Sequence, residues 1–242
     1  MARSIFVLIG LAIALALAGI GAVYVGVADT TSVIVWDIRA PRIILATIVG
    51  AGLGVSGALL QGALRNPLAD PGIIGVSAGA ALGTVVIVST GVAYGSVVAA
   101  IGGIIGGLAA MAAVTVVSRS PRGVEVVTLI LAGVAITAFA AAVLSIVLTT
   151  SDLAGVRSTT FFTTGSFALA TWPGVAATLP FVLTGFIIAA IISGRLDVLS
   201  LGDRAAFASG LNVNSVRWWA LVAAVLTVAA GVAVVGIIVF IG

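Results

Sequence analysis

The chain reads as a succession of long apolar runs broken by short polar punctuation. Apolar runs of roughly bilayer length fall at about residues 5–28, 43–64, 73–90, 95–117, 124–149, 173–193 and 216–242. Each is near the ~20 residues a helix needs to cross a hydrocarbon core. The pattern therefore predicts an all-α, polytopic transmembrane helix bundle with seven spans, forming a single domain over residues 1–242. The first run, Ile5 to Ala28, is too long for the core of a cleaved signal peptide. It is expected to be a retained first helix with Arg3 on the cytoplasmic side. Three interruptions stand out: Arg65 to Gly72, Thr150 to Trp172, and Gly194 to Ser215, the most polar stretch of the chain. The first carries two prolines, an arginine and an aspartate. Such a turn belongs where water or other protein can satisfy its backbone.

Composition agrees. The chain is 62% hydrophobic and 7% charged, with mean hydropathy +1.40, whereas soluble domains carry about a quarter charged residues. It has no cysteine and no histidine, which excludes disulfides, thiolate chemistry, metal sites built on nitrogen or sulfur ligands, and histidine acid–base catalysis. All ten basic residues are arginines. They are too few to argue for nucleic acid, but their placement orients the chain. With the N-terminus inside, Arg3, Arg65, Arg119, Arg122, Arg195, Arg204 and Arg217 lie in inside loops, and Arg39, Arg42 and Arg157 outside. The pair Arg39 and Arg42 is either tolerated at the interface or a positive patch for an external partner.

Small residues recur every fourth position: Gly10, Ala14, Ala18, Ala22 and Gly26; Gly50, Gly54, Ala58 and Gly62; Gly75, Gly79 and Gly83; and the pairs Gly102–Gly106 and Gly103–Gly107. Such stripes let helix backbones approach closely and predict a tight bundle. Glu125 and Asp152 fall near span ends, so the buried ionisable groups usual in proton-coupled carriers are missing. No Gly-x-x-x-x-Gly-Lys loop is present, so ATP, if used, is hydrolysed by another chain.

Leu201 to Asn212 reads as a short helix. Asp203 favours its N-terminal end, Ala205, Ala206 and Ala208 are good helix formers, and Gly210 suits the left-handed residue that ends it. The flanking Arg195 and Arg217 put it on the cytoplasmic face. It suits either a groove in a partner protein or the lipid headgroups.

At these residues the chain resembles a known family. Arg39-x-Pro41-Arg42, Gly57-Ala58-Leu59-Leu60-Gln61, Arg65-Asn66-Pro67-Leu68-Ala69-Asp70-Pro71-Gly72 and Gly75-Val76-Ser77-Ala78-Gly79-Ala80 resemble the signature of the FecCD-type permease subunits of ABC importers for iron–siderophores, haem and vitamin B12. The likeness continues in Leu131 to Ala135, Gly165-Ser166, Trp172, Leu201-Gly202 and Gly210 to Val213. It implies a permease subunit, not an enzyme, in the bacterial cytoplasmic membrane. A second permease subunit would complete the path, two cytoplasmic ATPase subunits would bind ATP, and an extracytoplasmic binding protein would deliver an iron–siderophore, or alternatively haem or vitamin B12. The chain itself would bind no cofactor or metal.

By the same resemblance, Gly202, Asp203, Arg204, Ala205, Ala206, Ser209, Gly210 and Leu211 form the ATPase-coupling helix within 194–215. Arg39 and Arg42 dock the binding protein. Arg65, Asn66, Pro67, Asp70, Pro71 and Gly72 form the signature turn, whose prolines fix its shape and whose Gly72 releases the chain into the third helix. Val126 and Val127 sit at an inner gate that could close by dewetting. The chain departs from the family at Phe161-Phe162, where relatives often have tryptophan, and at Ile237, where they have proline. Relatives have ten helices, so the resemblance implies seven of ten spans and a C-terminal truncation. An ATP-independent channel is the competing class, and it has no need of the 202–211 loop. An intramembrane enzyme is disfavoured, because no mid-membrane carboxylate pair is available.

Overall fold

The computed structural model describes residues 2–24, 31–120, 123–124, 126–150 and 164–238. Its helices are α1 (Ala2–Tyr24), α2 (Ala40–Leu64), α3 (Val76–Ser89), α4 (Val97–Val117), α5 (Val126–Thr150), α6 (Trp172–Ser200), α7 (Asp203–Ala208) and α8 (Val213–Val235). A wide π-helical segment, Ile34–Arg39, leads into α2, and a two-residue antiparallel pairing, Arg119–Ser120 with Gly123–Val124, joins α4 to α5. Among the described residues, five helices are long and apolar enough to cross a membrane, and two apolar stretches, Ile9–Tyr24 and Val76–Ser89, are shorter. The all-α polytopic bundle is as expected.

The core is built on α8. Its most apolar window is 78% buried, against 22% for α5. A helix that is apolar on every side belongs in the interior, and α2, α3, α4 and α6 surround this one. Lipid tails are as apolar as side chains, so close packing and hydroxyl bonds must hold such helices together. A Cβ on Gly52 would stand 2.8 Å from the Thr227 carbonyl oxygen, and one on Gly185 would stand 2.5 Å from the Thr227 methyl. Thr178 Oγ1 donates to the Gly174 carbonyl at 2.9 Å and faces the Ala230 carbonyl at 3.4 Å, joining α6 to α8.

The α3 and α4 stripes interlock. A Cβ on Gly83 would lie 2.2 Å from the Gly102 carbonyl oxygen, and one on Gly106 would lie 2.2 Å from that of Gly79. Gly103 and Gly107, on the adjacent face of α4, meet α8 side chains. The α2 stripe behaves otherwise: nothing lies within 4 Å of a Cβ at Gly50 or Gly54, nor at Gly10 of α1. Gly52 of α2, outside the stripe, does make a close approach.

Several boundaries move from their expected places. Arg39 and Arg42 stand in continuous helix rather than in a loop, because Pro41 occupies the first turn of α2, where its missing N–H costs nothing. The third span begins at Val76, not 73, and is 14 residues long, about 21 Å of helix. The preceding residues 66–75 are not helical, since Asn66, Asp70, Pro71 and Gly72 divert the backbone bonds. Gly194 to Ser200 continue α6, so the polar stretch between the last two long helices narrows to 201–212. The last helix ends at Val235, before 242, because Gly236 turns left-handed at φ 78 and its N–H returns to Val232. Residues 239–242, Arg122, Glu125, Asp152, Arg157 and Phe161-Phe162 lie outside the described residues.

Candidate functional site

The 25 residues of α2 span about 36 Å and put two polar clusters at opposite ends of the bundle. At one end, the Arg39 guanidinium donates to the Val23 carbonyl, and Arg42 Nη2 donates to the Ala168 carbonyl at 2.7 Å. Trp172 Nε1 donates to the Trp36 carbonyl at 2.9 Å. Two further loops close over the end of α8. The Tyr94 hydroxyl donates to the Val234 carbonyl, and the Ser166 N–H donates to that of Val235 at 2.7 Å. Burial pushes the Tyr94 phenol far above its ordinary pKa, so it stays protonated and remains a donor. The two arginines are brought together on consecutive turns, but each already serves an internal carbonyl.

The other end holds the signature turn and α7. Arg65 caps α2 in the left-handed conformation, φ 51, and its N–H points back to Gln61 and Gly62. Asn66 Oδ1 then accepts from the Leu68 N–H at 3.0 Å, and Asp70 Oδ1 accepts from the Gly72 N–H. These side chains satisfy the backbone that helix bonds would otherwise take, as in Asx turns. Gly72 is therefore held by Asp70, and it is Gly75, at φ 82, that releases the chain into α3. Ala69, Pro71, Ile74 and Gly75 are buried while Pro67 and Leu68 are exposed. The turn packs against α5 so closely that a Cβ on Gly133 would lie 2.0 Å from the Ile73 carbonyl oxygen. The part of this irregular backbone that faces α5 is thus covered by protein.

The helix α7 is short because its ends are set by two glycines. Gly202 has φ 116 and ψ 155, a region open essentially to glycine alone. Gly210 has φ 84, and the Leu211 N–H returns to the Ala206 carbonyl at 3.0 Å. Ala206 is fully buried against Leu199 and Val216, so it anchors the helix. Arg204, Ala205, Phe207, Ser209 and Gly210 are exposed, Phe207 at 79%, and Phe207, Gly210, Leu211 and Asn212 line an open concavity. Asp203 does not cap α7. Its carboxylate accepts from Arg217 Nη2 at 2.8 and 3.1 Å and faces Arg65 Nη1 at 3.9 Å. Arg217 also donates from Nε to the Ala63 carbonyl at 3.0 Å. This link between residues 14 and 154 positions apart carries no local pattern, so nothing in the sequence announces it. Gly202→Ala should cost about 1–3 kcal/mol, visible as a lower thermal midpoint of the purified protein in detergent.

Val127, at the start of α5, is exposed at 65%, and the side chain of Val126 lies outside the described residues. Among the described residues no group of histidine, cysteine, aspartate or glutamate could hold a metal ion.

The pattern that defines the FecCD transport family matches residues 3–242. The chain belongs to the FecCD transport family. It is 35% identical over 213 residues to the hemin transport system permease protein HmuU of Yersinia pestis, covering 86% of this chain and 64% of the relative. It is 32% identical to the Fe(3+)-citrate import system permease protein YfmE of Bacillus subtilis, covering 93% of this chain and 70% of that protein. A solved metal-chelate type ABC transporter in an inward-facing conformation aligns with TM-score 0.80 and 31% identity, over 96% of this chain and 75% of its own. The chain spans 64% of HmuU and 58% of the cobalamin import permease BtuC of Halobacterium salinarum.

Proposed function

We propose that this chain forms part of the membrane-spanning wall of an ATP-driven importer in the bacterial cytoplasmic membrane, with its N-terminus inside, and that the cargo is an iron–siderophore. Residues 1–242 act as one permease domain. A second permease subunit completes the path, two cytoplasmic ATPase subunits supply the energy, and an external binding protein delivers the chelate. The permease is not itself an enzyme.

The observation that carries this reading is α7: a six-residue helix anchored by one buried alanine, offering its remaining surface and the Phe207–Asn212 concavity outward. A free-standing channel has no use for such a projection. A helix resting on lipid would also gain little from having both of its ends set by positive-φ glycines. Gly202, Asp203, Arg204, Ala205, Ala206, Ser209, Gly210 and Leu211 are accordingly the ATPase-coupling element, and Val126 and Val127 belong to an inner gate. The relatives named for hemin and cobalamin make haem and vitamin B12 the competing cargoes.

The test is co-purification of a coexpressed ATPase subunit. Wild type should retain it, and a chain with 202–211 replaced by a glycine–serine linker should lose most of it. Equal recovery from both would remove the coupling role.

A further inference from the structure

Three side chains and one backbone carbonyl decide what happens to a push on α7. Asp203 opens α7, Arg217 lies in the first turns of α8, Arg65 caps α2 and starts the signature turn, and Ala63 supplies a carbonyl from the last turn of α2. Arg217 is half in, half out: its side chain is 19% exposed, while those of Asp203 and Arg65 are 51% and 46% exposed. Its guanidinium uses two nitrogens. Nε holds the Ala63 carbonyl at 3.0 Å, and Nη2 holds the Asp203 carboxylate at 2.8 Å. On the other side, Gly202 joins α6 to α7, with the Arg65 guanidinium nearest a Cβ placed there, at 3.7 Å. The α6–α7 junction is thus uncrowded at Gly202, and Arg217 clasps α7 to α2 and α8.

We infer that Arg217 is a positioning residue that locks α7 to the end of α2, so that α7 and the Arg65–Gly72 turn move as one body. This rests on the coupling role proposed above and adds where the motion goes: into the turn that lies against α5. A planar fork suits the site, because one cation serves a carbonyl and a carboxylate through two nitrogens held in fixed geometry. Lysine keeps the charge but replaces the two fixed nitrogens by a single point donor.

The test uses the absence of native cysteine. Cysteines placed at Leu68 and Ala208, both exposed, carry spin labels in the complete permease bound to its ATPase, and the distance between them is measured without and with ATP–Mg and vanadate. In the wild-type background the distance should stay constant. In Arg217→Lys and Asp203→Asn it should shift or broaden by a few ångströms, a change on the scale of discrete helix displacements, and Asp203→Glu should restore the wild-type behaviour. A wild-type distance that changes as much as in the variants overturns the inference, as do variant distances that stay constant. Loss of ATPase from the two variants alone also overturns it, since the clasp would then serve affinity and not transmission. Failure of the wild type to hold an ATPase brings down the coupling role itself and this inference with it.

Discussion

Gly106→Val should abolish recovery of monodisperse protein, while Gly54→Ala should leave it unchanged. The two glycines belong to stripes of the same spacing, and the difference lies in what they face. A Cβ at Gly106 would meet the Gly79 carbonyl oxygen at 2.2 Å and the Gly83 Cα at 2.9 Å. Both are backbone atoms that no rotamer change can move aside, so α3 and α4 must separate. Overpacking a core costs typically 1–3 kcal/mol, and a clash with backbone on both sides belongs at about 3 kcal/mol or above. The Thr84 and Ala233 side chains beside Gly103 would be disturbed along with it. At Gly54 nothing lies within 4 Å, and alanine gains helix propensity of about 1 kcal/mol over glycine. Size-exclusion profiles and thermal midpoints in one detergent check both. A normal profile for Gly106→Val would show that α3 and α4 do not meet as described.

Reversing the charge at the far end should weaken docking of the binding protein by one to two orders of magnitude at low salt. Arg39→Glu with Arg42→Glu replaces two guanidinium groups on neighbouring turns by carboxylates. Charge complementarity sets encounter rate and register at such surfaces, with effects of roughly 10 to 10³ on association. Raising the ionic strength should shrink the difference between variant and wild type, because exposed charges beyond about 10 Å are screened at 0.1 M salt. The measurement is the association rate of the binding protein with the detergent-solubilised permease across a salt series. An unchanged rate at low salt would reject the docking role. Arg42 also donates to the Ala168 carbonyl, so Arg42→Gln, which keeps a donor and removes the charge, separates docking from local structure.

Much of the architecture was legible in order along the chain. Apolar run lengths mark the long helices because a bilayer imposes one length scale on every crossing. The glycine that stops α7 is readable because positive φ is a local demand, met at Gly210 by the residue that bears it cheaply, whereas the same demand at Gly202 is not anticipated. The family likeness likewise rests on contiguous residues, and the match over residues 3–242 bears it out. The length of α3 was less legible, because hydropathy registers apolar residues whether or not they are helical, and Ile73, Ile74 and Gly75 precede the helix.

Other features belong to the tertiary structure alone. Periodicity identifies four stripes of small residues but not which of them meets a neighbour: those on α3 and α4 do, and that on α2 faces outward at Gly50 and Gly54. Asp203 looks from its position like a charge placed for the helix dipole, yet it is engaged by Arg217, which reaches on to Ala63, 154 positions away. Spacing along one helix is encoded within a turn or two, whereas the choice of partner depends on how all the helices pack around α8.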